Sequence, residues 1–326
     1  MPLLDVRDLS VVFQRKGTRP VTAVDGVSFT VEPGQTVGLV GESGCGKSVT
    51  SLAIMGLLPR RGNAVSGEVE FSGVDLLALS RDEMRDWRGR DIGMIFQDPL
   101  SSLNPVIPIG IQVAEVIERH QGRSRQQALR EARELLDAVG IPDPARRLTE
   151  FPHQLSGGMR QRALIAIALA CKPRLLIADE PTTALDVTIQ AQILTLLKQL
   201  VDESGTALVM ITHDLGVVAG LCDTVNVLYA GKVVERQRRH DLFAEPRHPY
   251  THGLLASVPR LDAEKGGRLH PIRGSVNDNI PWPEGCAFAP RCDRVLDVCL
   301  DGTPPLADDG LRALRCNNPV PQEVSA

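Results

Sequence analysis

A glycine-rich stretch at residues 39–48, LVGESGCGKS, constrains this chain more than any other. It fits the pattern G-x-x-x-x-G-K-[ST] of a phosphate-binding loop, between an apolar strand expected at 37–40 and a helix expected at 47–57. The glycines let the backbone curl so that successive N–H groups point inward, and the helix N-terminus adds further donors. Lys47 would reach the β- and γ-phosphates, and the Ser48 hydroxyl would ligate Mg²⁺. The stretch therefore predicts a nucleotide site.

The pattern of apolar residues around this loop predicts an α/β fold. Apolar–polar alternation indicates two antiparallel strands, at 4–12 and 27–32, ahead of the strand that enters the loop. Between 109 and 140 the apolar residues follow a helical period, which predicts a helical insert. Further apolar runs predict strands at 67–71, 92–96, 175–178 and 207–211.

Two carboxylates follow directly after one of these strands. Asp179 and Glu180 come after the run at 175–178, and the carboxyl ends of parallel strands form the edge where ligands bind in open α/β sheets. We expect Asp179 to order Mg²⁺ through water and Glu180 to polarise the attacking water. A helix-capping acid pair before Pro181 is the alternative, and the strand context disfavours it.

An aromatic residue, Phe13, ends the first predicted strand. An aromatic face suits stacking on an adenine ring, because such contacts need no exact hydrogen bonds. It equally suits packing at the end of a strand. The sequence leaves both interpretations open.

Charge and hydropathy limit the partners of this chain. The net charge of −4 gives no broad basic excess, so nucleic acid is not the expected partner, and the basic run at 236–240 is typical of a solvated edge. The first residues lack the charged and apolar blocks of a signal peptide. The densest apolar run, at 164–171, is too short to span a bilayer. We therefore expect a cytosolic chain whose membrane role comes through partners.

The order of the motifs adds a resemblance to a known family. After the phosphate loop come a glutamine loop at Gln97, the segment LSGGMRQ at 155–161, the acids Asp179 and Glu180, the loop ALD at 184–186, and His213. Over about residues 4–235 the chain thus resembles the nucleotide-binding subunit of an ABC transporter. The LSGGMRQ segment is the specific element, because generic phosphate-loop ATPases lack it.

The tail narrows this resemblance. The segments HPYT at 248–251 and GCAFAPRC at 285–292 are similar to the region after the ATPase core in dipeptide/oligopeptide (or nickel) importer ATPases. The resemblance implies an ABC-type core at 1–240, with an antiparallel β subdomain and a helical subdomain at about 98–170. A small cysteine-rich C-terminal extension would follow at 241–326.

The resemblance also implies roles for site residues. Gln97 would contact the metal and the lytic water and sense the membrane subunits, and His213 would hold the γ-phosphate. Ser156 and Gly158 would bind the nucleotide of a partner subunit, so that ATP joins two subunits and hydrolysis releases them. The expected catalytic residues are Glu180, His213 and Gln97, and the expected Mg²⁺ ligands are Ser48, Gln97 and Asp179. The expected ATP contacts are Phe13, Gly41, Glu42, Ser43, Gly44, Cys45, Gly46, Lys47, Ser48, Val49, Gln97, Ser156, Gly157, Gly158, Gln161, Asp186 and His213.

The implied function is ATP hydrolysis that powers peptide import from the cytoplasmic face of the cell membrane. The implied partners are a second, non-identical ATPase, two permease subunits and an extracytoplasmic binding protein, without nucleic acid. A homodimer remains open, as does the cargo: dipeptide, oligopeptide, nickel or another solute. The alternatives are a soluble ABC ATPase acting on nucleic acid or the ribosome, which usually carries two cassettes or a long coiled-coil insertion, and a small-molecule kinase.

Four of the seven cysteines crowd the end of the chain, at Cys286, Cys292, Cys299 and Cys316. This Pro- and Gly-rich segment lacks a periodic apolar pattern and needs a staple, which in a reducing cytosol favours metal over disulfide. Four thiolates suit either Zn²⁺ or an iron–sulfur cluster, and the lack of a C-x-x-C pair argues weakly against zinc. Some peptide-importer ATPases carry a cluster in this tail, so the resemblance favours [4Fe–4S]. Zinc and unligated thiols remain the alternatives.

Overall fold

The structure is a computed structural model that describes residues 1–14, 17, 19–59, 61–183, 185–257, 272–276, 280, 282 and 284–322. Its strands are β1 (Leu4–Phe13), β2 (Val21–Val31), β3 (Thr36–Val40), β4 (Asn63–Phe71), β5 (Val74–Asp75), β6 (Ile92–Ile95), β7 (Leu175–Asp179), β8 (Ala207–Thr212), β9 (Thr224–Tyr229), β10 (Lys232–Arg238), β11 (Ala307–Asp308) and β12 (Ala313–Leu314). Its helices are α1 (Lys47–Ile54), α2 (Arg81–Trp87), α3 (Pro99–Ser102), α4 (Ile109–Gln121), α5 (Arg125–Ala138), α6 (Pro144–Arg147), α7 (Gly157–Leu169), α8 (Val187–Ser204), α9 (Leu215–Leu221), α10 (Arg239–Ala244) and α11 (Pro249–Ala256).

One compact unit comprises residues 1–3, 31–36 and 78–211. Its sheet places β7 between β6 and β8, with both pairings parallel. Every residue of β7 and β8 is buried, as expected for parallel strands covered on both faces. These positions agree closely with the strands predicted from the apolar runs.

The helical insert of this unit contains two helices, a division that the helical period at 109–140 did not locate. Gly122 takes the left-handed conformation (φ 64°) and ends α4, and Ser124 then caps α5. The predicted helical period is confirmed, because Ala114 and Ile117 are buried on α4 and Ala132 is buried on α5. The periodicity was thus correct while the break depended on one glycine.

A second compact unit comprises residues 4–30, 37–77 and 212–326. A four-stranded sheet in the order β2-β1-β4-β5 contains the two strands that the alternation predicted, although β2 begins at Val21 rather than at residue 27, and β4 pairs antiparallel with both β1 and β5. The strand β3 is wholly buried, pairs with β9 in parallel, and leads into the glycine-rich loop. The helix α1 ends at Ile54, three residues before the predicted end, because the chain turns at Gly56 (φ 59°).

The C-terminal residues of this unit continue its sheet. β12 pairs antiparallel with β10, and β11 pairs with β12. Between α11 and these strands the described chain forms short 3₁₀ turns at Ala289–Arg291 and Asp297–Cys299. No helix among the described residues is both long and apolar enough to cross a membrane.

Candidate active site

The glycine-rich loop has the shape that its sequence predicts. Gly41 has a φ of 153°, and a Cβ there would lie 2.3 Å from the carbonyl oxygen of Leu228. Gly46 has a φ of 102°, and its Cβ would lie 2.4 Å from the carbonyl oxygen of Ala23. Both positions therefore require glycine for steric as well as conformational reasons. The predicted contacts Ser43 and Gly44 are exposed at the loop surface, whereas Ser48 and Val49 are half-buried in α1.

The Lys47 ammonium group lies inside the glycine-rich loop. The Lys47 side chain is only 4% exposed, and its Nζ donates to the carbonyl oxygens of Gly41 (2.7 Å) and Glu42 (3.0 Å). Cys45 is buried beside it, and burial raises the pKa of the Cys45 thiol. A fixed ammonium group next to backbone donors at a helix N-terminus is suited to phosphate.

Glu180 follows β7 in a strained backbone conformation. Its φ of 45° lies in the left-handed region, which non-glycine residues rarely adopt. Its Oε2 accepts hydrogen bonds from Gln97 Nε2 (3.0 Å) and Thr183 Oγ1 (2.9 Å), while its N–H donates to Ile211 (2.9 Å). The carboxylate is thus oriented by two donors, one of which is the predicted glutamine. Neighbouring Asp179 is buried at the last position of β7.

The LSGGMRQ segment begins the helix α7. Ser156 is exposed and caps α7, its Oγ accepting the N–H of Met159 at 3.3 Å. Gly157 is also exposed, and a Cβ on Gly158 would meet Ile189 Cγ2 at 3.0 Å. Gln161 is buried, and its Nε2 has no hydrogen-bond partner among the described residues. The segment therefore presents a helix N-terminus with small residues, which suits an anion.

The other predicted site residues lie at the ends of elements. Asp186 caps α8 through a 3.0 Å bond from the Ile189 N–H. His213 is exposed directly after β8. Phe13 is half-buried at the end of β1, so its role as a base-stacking or packing residue stays open. Ala184 of the ALD loop lies outside the described residues.

Two contacts of the loop were not predicted from the sequence. Tyr250 accepts the N–H of Glu42 at 2.8 Å, and Arg291 forms a bidentate ion pair with the Glu42 carboxylate. Both residues lie in the tail segments that carry the family resemblance, which is the one signal that marked them. The sequence could not predict the contacts themselves, because both residues lie more than 200 positions from Glu42 along the chain.

The four C-terminal cysteines are free thiols that line one cavity, with about 310 Å³ of atom-free space that is partly open to solvent. Burial raises the pKa of Cys286 and Cys292, and raises that of Cys316 to about 11. Neighbouring thiols act in the same direction for all three. Within the described part of the chain, however, no three His, Cys, Asp or Glu side chains form a metal-holding group. The iron–sulfur prediction therefore has no support from the arrangement.

Comparisons with known proteins identify the family. Residues 24–183 match the ABC transporter family, and residues 234–299 match the oligopeptide/dipeptide transporter C-terminal region. A peptide import ATP-binding protein of Brucella melitensis is 53% identical over 340 residues, covering 100% of this chain and 99% of its own. The oligopeptide transport ATP-binding protein OppD of Salmonella typhimurium is 49% identical over 318 residues, covering 98% of this chain and 94% of its own.

A solved structure supports the same assignment. The dimeric post-hydrolysis state of the ATP-binding cassette MJ0796, bound to ADP and Pi, aligns with a TM-score of 0.65 and 29% identity. The alignment covers 72% of this chain and 98% of that one. The predicted ABC-type ATPase fold and the predicted family are thus confirmed. The chain belongs to the ABC transporter ATP-binding proteins of the oligopeptide/dipeptide import family, and it is an ATPase.

Proposed function

We propose that this chain hydrolyses ATP to power the import of peptides through a membrane permease. The observation that carries the proposal is Glu180, a carboxylate held by Gln97 and Thr183 directly after a buried parallel strand. That placement suits a general base for water. The relatives at about 50% identity over nearly the whole chain are peptide import proteins by name, which supports peptide as the cargo.

Separate groups of residues would bind the phosphates, the metal ion and the attacking water. The loop amides and Lys47 would bind the phosphates, and the residues that would hold Mg²⁺, directly or through water, are Ser48, Gln97 and Asp179. These donors fit the ion, because Mg²⁺ prefers oxygen ligands and usually keeps several waters. When bound, the ion would supply positive charge beside the phosphates, and Glu180 would polarise the attacking water. His213 steadies the γ-phosphate.

The exposed start of α7 is the surface that would contact a second ATPase subunit. Ser156, Gly157 and Gly158 bind the γ-phosphate of the nucleotide that the other subunit holds, so closure requires two subunits. The Met159–Arg160 form of the segment resembles one of the two distinct subunits of peptide importers, which favours a non-identical partner. Two permease subunits and an extracytoplasmic binding protein complete the assembly, and the chain works peripherally at the cytoplasmic face of the cell membrane.

Reconstitution tests this function. The chain is placed in vesicles with its permease subunits, second ATPase and binding protein, and uptake of labelled dipeptide, oligopeptide and Ni²⁺ is compared. We expect ATP-dependent peptide uptake that Glu180→Gln abolishes. Uptake of Ni²⁺ alone would replace peptide with nickel as the cargo. Recovery of the native chain with ribosomes or nucleic acid rather than membranes would contradict the proposal.

We also propose a structural [4Fe–4S] cluster in the C-terminal segment, on the family resemblance and on the donor chemistry of its four thiols rather than on their arrangement. Cys286, Cys292, Cys299 and Cys316 line one cavity, and four thiols are the donor set of a [4Fe–4S] cluster. The cluster would stabilise the C-terminal segment that carries these thiols rather than transfer electrons in catalysis, because ATP hydrolysis needs no redox step. Binding would release the thiol protons, since thiolates are the ligands.

The cluster is tested by metal content. Anaerobically purified protein should be brown and contain about four iron and four sulfide per chain, and Cys316→Ser should lose both. Cys222→Ser is the matched control, because Cys222 is buried in the core, away from the cavity lining. Colourless protein with about one zinc would indicate a Cys₄ zinc site, and metal-free protein with reactive thiols would exclude both.

A further inference from the structure

The second residue of the phosphate loop, Glu42, is held at three points. Its N–H donates to Tyr250 Oη (2.8 Å), and its carbonyl oxygen accepts from Lys47 Nζ (3.0 Å). Its carboxylate accepts from Arg291 at 2.7 and 2.9 Å. Backbone donor, backbone acceptor and side chain of one loop residue are therefore all fixed. Two of the three partners come from the C-terminal region.

The Arg291 guanidinium is buried, and each of its N–H groups donates a hydrogen bond. Its side chain is 4% exposed, while that of Glu42 is 28% exposed. All five guanidinium N–H groups have acceptors, which are the two Glu42 oxygens, the Tyr229 hydroxyl (3.3 Å), and the carbonyl oxygens of Arg273 (2.7 Å) and Gly274 (3.0 Å). The two parallel hydrogen bonds from the planar guanidinium fix the orientation of the Glu42 carboxylate as well as neutralising its charge. Lysine cannot reproduce this arrangement.

An aromatic cluster packs around Tyr250 and Arg291 in the C-terminal lobe, by which we mean the described residues between 241 and 322. Tyr250 packs against Tyr229 with ring centroids 4.7 Å apart, and Phe288 lies 5.4 Å from Tyr250. Phe288 and Arg291 both lie between Cys286 and Cys292 in the sequence. The segment that carries two of the clustered thiols thus also carries the arginine that holds the loop.

We propose that Arg291 and Tyr250 are positioning residues through which the C-terminal lobe holds the phosphate loop in its nucleotide-binding shape. The inference rests on the proposed use of this loop as the ATP site. A loop ordered before binding loses less conformational entropy when the nucleotide arrives, so affinity is higher. The contacts act on binding rather than on the hydrolytic step, because neither residue reaches the Glu180 carboxylate through its described bonds.

The test measures the Kd for MgATP and mant-ATP, with KM and kcat, on the full chain. We expect Arg291→Met to raise Kd and KM about fivefold or more while kcat at saturation changes less than about twofold. Arg291→Lys should restore only part of the affinity. Tyr250→Phe keeps the packed ring and removes the acceptor of the Glu42 N–H, and should raise Kd in the same direction.

Two controls separate positioning from general damage. Arg236→Met removes a different ion pair, which links Arg236 on β10 to Asp308 on β11 (2.6 Å) and does not involve the phosphate loop. This variant should lose about as much thermal stability as Arg291→Met, yet its Kd for MgATP should equal that of the native chain. Combining Arg291→Met with Glu42→Gln should weaken binding no more than the worse single variant, because both remove one interaction.

The outcomes are distinguishable from failure of the proposed function. Equal Kd for Arg291→Met and the native chain, equal losses in Arg236→Met, or additive effects in the double variant would overturn the positioning role while leaving the ATPase assignment intact. A native chain that binds no MgATP would overturn the loop as the nucleotide site and this inference with it.

Discussion

Glu180 combines strain and restraint at one position. A left-handed backbone costs a non-glycine residue about 1–3 kcal/mol, so the surroundings must hold it there. The bonds from Gln97 and Thr183 to a single carboxylate oxygen supply part of that restraint. Such strain is typical of catalytic groups that must be oriented before the substrate arrives.

Replacement of this carboxylate tests its role directly. Glu180→Gln should reduce ATP turnover by about 10²–10⁴-fold, because a positioned general base is lost, while leaving the Kd for MgATP near that of the native chain. Steady-state phosphate release and nucleotide titration provide the two measurements. Glu203→Gln, on an exposed carboxylate of α8 bonded to Gln199, is the control and should turn over normally. Native turnover in Glu180→Gln would remove the assignment.

His248 makes stability depend on pH. It is 1% exposed, and burial lowers its pKa from 6.5 to about 3, with a bond to the Arg315 backbone acting in the opposite direction. Between these values the unfolded chain binds a proton that the folded chain does not, so the free energy of unfolding decreases as the pH falls from about 6.5 toward 3. The slope from this group is at most about 1.4 kcal/mol per pH unit.

Denaturation at a series of pH values measures this effect. His248→Asn keeps a side-chain acceptor for the Tyr250 N–H, which His248 Nδ1 now accepts at 3.1 Å, but cannot titrate. The difference in unfolding free energy between native chain and variant should shift with pH only below about 6.5. Parallel curves through that range would show that His248 is not the responsible group.

At the scale of elements, capping decides where the helices of the insert begin. The Ser124 Oγ accepts the Gln127 N–H (3.4 Å), and the Gln127 Oε1 accepts the Ser124 N–H (3.0 Å). This reciprocal pair satisfies two donors at the start of α5, a helix with only three buried residues. The cap therefore carries a large share of the local stability of α5.

Removal of the cap should be visible in α5 alone. Ser124→Ala should cost about 1 kcal/mol locally, which corresponds to about fivefold faster amide hydrogen exchange in the first turns of α5. Ser124→Asp supplies another capping oxygen and should exchange at the native rate. Unchanged exchange in Ser124→Ala would show that packing, rather than the cap, fixes this end.

For the whole molecule, the exposed start of α7 predicts how two subunits meet. A Cβ on Gly157 would have Leu185 Cδ2 at 3.6 Å, an ordinary contact, and an acidic residue in the first turn favours the helix dipole. Gly157→Asp should therefore fold normally. Its carboxylate would repel the γ-phosphate that a partner subunit presents.

Sedimentation of the chain, alone and with its second ATPase, measures this outcome. In the Glu180→Gln background MgATP should produce a stable dimer, and adding Gly157→Asp should abolish the dimer without changing the Kd for MgATP. Gly157→Ser, which is small and uncharged, should still dimerise. Persistent dimers with Gly157→Asp would exclude the start of α7 from the subunit contact.

The sequence by itself determined the features that depend on neighbours along the chain. The loop at 39–48 and the strand at 175–178, which the structure extends to Asp179, were each predicted, because glycine freedom and apolar runs act over a few residues. Their order identified the family. The break at Gly122 was missed, since a glycine within a helical period does not by itself show that the helix ends there.

Only the tertiary structure decided which distant side chains meet. Gln97 reaches Glu180 across 83 residues, and Arg291 reaches Glu42 across 249. Likewise, β12 joins the edge of β10 through two paired residues that carry no strand signal of their own. Such contacts are selected by packing and by the need to pair buried charges and backbone groups, and these conditions exist only once the chain has folded.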